Sequence, residues 1–280
     1  MSANGDDDNW PGSSPEEEPQ RDTKIDEARE AIMKEVFDTD PRTVMYERQL
    51  LVRFEDKFFH WITARALAEL HEERQIDVEK LVLAQNTEIK FYISKGHRGW
   101  RLQARAIRDL VLRFSAPDFG YALGHQGEML FDAALPRFGF MPMDRNVRTW
   151  NGREWTESNH DLDRIFVKDG IAYGAEIKNK LHYIERDELL TKLAICAELR
   201  IRPLFIMRMA PKSYINDIVR AGGYALIFKY QLYPHGSRAF AKEVRDRLGL
   251  PVDSPAMIRD ETIERFLNWH VKRLPPPVDV

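Results

Sequence analysis

The chain carries one cysteine, Cys196, in 280 residues. A lone thiol excludes an intramolecular disulfide and a zinc site built from several cysteines, and it fits a reducing, intracellular setting, cytoplasmic or nucleoid-associated. Long apolar runs are missing too. No stretch of 18 apolar residues occurs, and the first residues are acidic rather than basic and apolar, so neither a membrane partner nor export is expected. Net positive charge is also lacking, with 42 Lys and Arg against 45 Asp and Glu, a formal −3. That deficit is local. Residues 1–30 hold ten acids and three bases, a net of −7, which leaves +4 for the rest of a chain whose total is −3. Residues 1–30 therefore read as a disordered acidic tail, and the low overall charge does not exclude a nucleic-acid partner.

What is present centres on residues 160–181, HDLDRIFVKDGIAYGAEIKNKL. Two alternating runs flank Asp169-Gly170, a pair typical of a tight hairpin turn. Asp163 shares a face with Ile165 and Val167, while Glu176 and Lys178 share one with Ala172 and Gly174. Charges therefore sit where the alternation expects core. Two carboxylates meeting across a hairpin, with an ammonium two residues beyond the second, form a site for a divalent cation with a lysine beside it. A solvated strand edge and a buried salt bridge are the plainer readings of the same residues.

The acid, the interval of thirteen residues and the Glu-Ile-Lys inside an apolar strand resemble the PD-(D/E)XK, or restriction-endonuclease-like, nuclease superfamily. The resemblance implies an α/β fold with a mixed central sheet flanked by helices. It implies Asp163 and Glu176 as metal carboxylates and Lys178 as the catalytic lysine. The backbone carbonyl of Ile177 and Glu128, on the helix before the sheet, join the metal-ligand set on the same basis, although Glu128 also reads as a surface acid near a helix start. Leu162 stands where the superfamily has proline, and Asp161, on the same face as Asp163, competes for its role. The implied cofactor is Mg²⁺, with Mn²⁺ as the alternative. Asn179 and Lys180 are candidate phosphate contacts, and His160 is a candidate auxiliary.

Upstream, residues 46–76 read as helical, and residues 86–99 as a strand ending in a basic glycine turn. Together they look like a winged helix-turn-helix, with residues 64–73, including Arg65, as recognition helix and Lys95, Gly96, His97 and Arg98 as wing. A helical cap packed on the core is the alternative. Between Glu88 and Arg113 there are seven bases and two acids. Arg101, Arg105 and Arg108 fall on one helical face and Leu102, Ala106 and Leu110 on another, a single-sign stripe suited to phosphates.

The expected organisation is thus a tail (1–30), a winged-helix-like DNA-binding module (31–118), a nuclease core (119–235) and a C-terminal helical appendage (236–280). In the core, a helix over 124–135 buries Met129, Leu130, Ala133 and Ala134; a first strand covers 146–150; and a helix over 189–199 buries Leu190, Leu193, Ala194 and Ala197. Phe266 and Trp269 read as core or as contact with a second copy in a homodimer. The functional expectation is a Mg²⁺-dependent endonuclease acting on DNA in restriction or repair. A structure-specific or exonuclease in repair or RNA processing is one rival, and a non-catalytic DNA-binding regulator is the other.

Overall fold

The Asp169-Gly170 pair takes left-handed backbone at both positions, φ 49° and 73°, the geometry of the tightest twist-matched hairpin turns. It joins β7 (Leu162–Lys168) to β8 (Ile171–Lys178), as the alternation predicts. A computed structural model describes residues 22–82 and 88–273. Around this hairpin a mixed five-stranded sheet is built. β4 (Met141–Val147) pairs antiparallel with β7, while β9 (Arg202–Met207) runs parallel to β8 and β10 (Tyr224–Ile227) parallel to β9. The order is β10-β9-β8-β7-β4.

Parallel neighbours need crossovers, and α6 (Arg186–Glu198) and α7 (Lys212–Arg220) supply them. α6 lies close enough that a Cβ on Gly174 would sit 2.7 Å from Ile201 and Leu162 and 3.0 Å from the Cys196 thiol. Glycine in β8 is thus a condition of helix–sheet approach. The other face is covered by α5 (Pro117–Ala134) and α9 (Asp260–Val271). There Phe140 and Phe266 stack at 4.5 Å and both are fully buried, so Phe266 is a core residue, and Trp269 packs on Tyr224 at 5.2 Å.

Several boundaries differ from expectation. The acidic segment is helical from α1 (Thr23–Ile32), which buries Ala28 and Ile32; residues 1–21 lie outside the described residues. The helical segment expected over 46–76, with its recognition helix at 64–73, consists of α2 (Glu47–Arg53) and α3 (His60–Glu72), preceded by the short strand β1 (Val44–Tyr46). The break at Phe54, whose ψ is 5°, lets Phe54 and Phe58 enter one core with their rings 6.4 Å apart. An unexpected strand, β2 (Ile76–Val82), pairs with β3 (Glu88–Ser94), giving a three-stranded sheet of order β1-β3-β2. β2 buries only Ile76, so it shows no apolar alternation to read. Lys95, Gly96, His97 and Arg98 are not a hairpin tip. They form the turn from β3 to α4 (Trp100–Phe114), and the tip between β2 and β3, residues 83–87, lies outside the described residues.

The strand expected over 146–150 begins earlier, at Met141; Thr149–Trp150 and Arg153–Glu154 form a separate ribbon around Asn151-Gly152. β4 escaped notice because six of its seven residues are exposed. The module boundaries do not separate cores. Val44, Tyr46 and Phe91 share one hydrophobic cluster with Leu123 and Tyr233, and with Val244 and Leu248 of α8 (Arg238–Leu248). No helix among the described residues is long and apolar enough to cross a membrane.

Candidate active site

Register brings the two acids together. Arg164 faces Ala175 across the hairpin, and one further step places Asp163 opposite Glu176. Asp163 Oδ2 accepts the Ile177 amide at 2.7 Å, locking the acid to the strand that carries its partner. Glu176 is completely buried. Its Oε1 lies 2.6 Å from Lys178 Nζ and its Oε2 2.8 Å from Lys192 Nζ, yet neither oxygen accepts a hydrogen bond of proper geometry. Burial, reinforced by the Asp163 charge, pushes the Glu176 carboxyl up to about 7 despite both ammoniums. Lys178 feels the converse. Burial alone would lower its pKa, but Glu176, Glu188 and Asp163 outweigh that and hold it above the ordinary lysine value. Glu188, on α6, sits 2.7 Å from it. The two shifts agree physically: two acids crowd one place, and added positive charge there is favourable.

Lys192 is the residue whose part was least legible. It is buried on α6, donates to the Asp161 carbonyl and lies 3.8 Å from the Asp161 carboxylate. The face of α6 that is buried holds Leu189, Lys192, Ile195 and Cys196. The expected face was different, and Leu190 is in fact exposed. Read on the correct face, a lysine inside an apolar stripe is the signal that marks Lys192. Asp161 thus meets this lysine, whereas Asp163 stands opposite Glu176.

Other expected site residues have different partners. Glu128 is engaged by an arginine. Its Oε2 accepts from Arg164 Nη2 at 3.0 Å, while Arg164 Nε is shared between both oxygens of Asp132 at 2.9 Å. The i,i+4 spacing of Glu128 and Asp132 thus grips one buried arginine. On α5 the buried side runs through Leu123, Gln126, Gly127, Leu130, Phe131 and Ala134, leaving Met129 exposed. Asn179 is a buried strut that also borders the cleft of Asp163 and Lys178. Its Nδ2 donates to the carbonyls of Leu123 and Leu232, and its Oδ1 accepts the Leu232 amide, each at 2.7 Å. His160 is exposed and bonded to Ser158 at 3.1 Å. Lys180 is exposed and lines the same cleft as Asp163, Ile177 and Lys178.

That cleft, about 510 Å³, lies where the N-terminal module meets the sheet. Glu47, Arg48, Ile89 and Lys90 line it, as do Val111 and Phe114 of α4 and Gly120, Gly124 and Glu128 of α5. On α4, Arg101 and Arg105 are exposed, and Arg101 lies over Trp100 at 4.8 Å. Arg108 is half-buried and paired with Asp109 at 2.9 Å. The apolar side is turned from expectation: Ala104, Leu110 and Val111 are buried, while Leu102 is 75% exposed. Arg65, on α3, is exposed but bonded to Glu69 at 2.9 Å; Lys95 pairs with Asp77 at 3.1 Å; Arg98 is exposed.

Among the described residues no group of three or more His, Cys, Asp and Glu gathers as a metal centre. Mg²⁺ asks less than that, since one or two carboxylates suffice when waters and substrate oxygens complete its shell. The Asp163 and Glu176 carboxylates are of the donor type such a shell uses, and the two Glu176 oxygens, which accept no aligned hydrogen bond, favour the fit. No protein family, curated protein or solved structure matches the chain.

Proposed function

We propose that the protein is a metal-dependent nuclease acting on DNA. The observation that carries this reading is the wholly buried Glu176, without an aligned hydrogen bond, opposite Asp163 and beside Lys178. The chain order around it lends support: helix, three antiparallel strands, helix, parallel strand, which is what the resemblance to the PD-(D/E)XK nucleases implies. Asp163, Glu176 and the carbonyl of Ile177 would hold Mg²⁺ or Mn²⁺. Such an ion, when bound, neutralises phosphate oxygens and lowers the pKa of water. Lys178, anchored by Glu188 at 2.7 Å, orients the attacking water and offsets charge that builds on the phosphate. Lys192 keeps Glu176 in place from the other side. The upstream order, helix, strand, two helices and a hairpin, supports a winged-helix-like DNA-binding role for that module, with Arg101 and Arg105 as phosphate contacts.

A second reading has its own observation: Glu176 already lies between two ammoniums, which suits a DNA-binding protein with a structural ion network. One experiment separates the two. Purified protein is incubated with plasmid, linear duplex and single-stranded DNA and RNA, with Mg²⁺, Mn²⁺ or chelator. The expected result is metal-dependent cleavage, lost by about a thousandfold or more in Asp163→Asn, Glu176→Gln and Lys178→Ala, each the removal of a group that acts on the transition state. Mg²⁺ at a hundred times its Kd should also stabilise the wild type by about 2.7 kcal/mol and the acid variants hardly at all. Cleavage that survives in these variants, or no Mg²⁺-dependent shift in melting, gives the answer to the second reading.

A further inference from the structure

The nuclease reading leaves open what kind of strand reaches Asp163 and Lys178, and the cleft bears on it. Its volume of about 510 Å³ is that of a pocket enclosing one small ligand. A nucleotide is of that size, whereas a duplex is not, since its major groove alone is about 12 Å wide. Glu176 is fully buried, and it is its neighbours Ile177 and Lys178 and its partner Asp163 that line the cleft, so a phosphate has to reach into the cleft to approach the acid pair.

The walls are tied and do not swing apart freely. Arg48 Nη1 donates to the Leu181 carbonyl at 2.9 Å, and Gln49 Nε2 to the Leu248 carbonyl at 3.1 Å. Glu55 forms a two-pronged ion pair with Arg208 at 2.5 and 2.6 Å, and Val44, Tyr46 and Val52 share a core with Val244 and Leu248. Widening the cleft to duplex size would break these contacts together.

The α5 side of the cleft is built to stay low. Gly120 and Gly124 are one turn apart on α5 and line the cleft, and a Cβ at either would meet nothing within 4 Å. Glycine inside a helix is less favourable than alanine, so their presence keeps space open at the expense of helix stability. Lys180 is exposed in the same cleft and makes no ion pair or hydrogen bond among the described residues. α4 leads outward from Val111: Arg105 and Arg101 stand six and ten residues back along it, about 9 and 15 Å by helical rise, where they can follow the backbone as it leaves.

We infer that the strand to be cut enters as single-stranded DNA (an end, a flap or a gap) and not as uninterrupted duplex. This rests on the nuclease reading, and the experiment keeps the two apart. The full chain with Mg²⁺ is given a labelled oligonucleotide alone, annealed to its full complement, as a flap, and beside them relaxed closed-circular duplex; binding of each is measured by fluorescence anisotropy without metal. Single strand and flap should be bound and cut about tenfold better than the closed duplex. Gly120→Leu and Gly124→Leu should each fill the cleft and weaken single-strand binding about tenfold, with a melting temperature equal or higher because leucine favours helix. Lys180→Glu should weaken it without touching the fold. Closed duplex bound and cut as well as single strand, or leucine variants that bind as wild type, overturn the inference while leaving the nuclease intact. Failure to cut any substrate removes the nuclease reading, and the anisotropy series still decides strand preference: equal binding overturns it.

Discussion

Two buried ionic clusters lie within a few residues of each other on one hairpin, and they are built differently. Arg164, in β7, is closed: its guanidinium bonds Glu128, both oxygens of Asp132 and the Asp163 carbonyl at 2.6–3.0 Å. Glu176, in β8, is open. Two ammoniums reach it at 2.6 and 2.8 Å, and neither gives its oxygens an aligned bond. The first has one cation shared by acids that each find a donor, as buried charge demands. The second has an acid that burial, reinforced by the Asp163 charge, disfavours more than two lysines favour it, and the Glu176 pKa near 7 records this. A satisfied ion network stabilises a fold, whereas a buried acid without an aligned donor, next to a lysine that lines a cleft, calls for another explanation.

Breaking the closed cluster should produce the largest effect on stability. Arg164→Met leaves Glu128 without its donor and Asp132 with only the exposed Arg145, and should cost about 3–5 kcal/mol. Glu176→Gln should not destabilise near neutral pH, because it removes a buried charge that Asp163 repels while Lys192 keeps the Asp161 carbonyl. Urea melts of both variants read this contrast. Equal losses would make the two clusters alike and remove the basis for treating the second as a site.

A pH titration sharpens the same contrast. Glu176 has a folded pKa of about 7 against an ordinary value of 4.5. Between these the folded state holds a proton that the unfolded state has released. Metal-free stability from this group is therefore full below about pH 4.5, falls as pH rises and is lost above about 7, a change on the order of 3 kcal/mol. Glu176→Gln should flatten that part of the curve, measured as wild-type and variant melting across the range in chelator. An unchanged slope in the variant would assign it to other groups.

The smallest expected effect concerns the arginine stripe. Arg101 and Arg105 are exposed, whereas Arg108 is paired with Asp109 and Arg113 with Glu243 at 2.8 Å. Alanine at Arg101 and Arg105 together should lower the slope of log affinity against log salt by about 1.4–1.8, without a change in melting. Alanine at Arg108 and Arg113 should lower it less. The reverse ranking would place the nucleic acid on another surface.

Legibility divides by range. The hairpin could be read because its causes are local: Asp169-Gly170 accepts left-handed backbone, and strict alternation on either side sets the faces. A two-residue turn and an interval of thirteen then put Asp163 opposite Glu176 by arithmetic alone. The C-terminal helices were equally plain, since α8 and α9 are bounded by glycine and proline. The polar strands β2 and β4 were not, because neither buries a face. Nor was the tail boundary, where a charged segment hides Ile25, Ala28 and Ile32 at helical spacing.

Within the chain's own letters lay the turn, the strand faces and the acid pair, each dictated by neighbours two or three residues away. Tertiary structure alone decided how each helix is rotated. α4, α5 and α6 carry apolar residues on more than one side, so only the surface they pack against selects the buried stripe. That choice turned Lys192 inward to Glu176 and left Leu102 and Leu190 in solvent. It also gave Glu128 to Arg164 and made Asn179 a strut between β8 and residues more than fifty positions away. Contacts at such separation leave no period in the sequence, because they are fixed by packing and not by the local backbone.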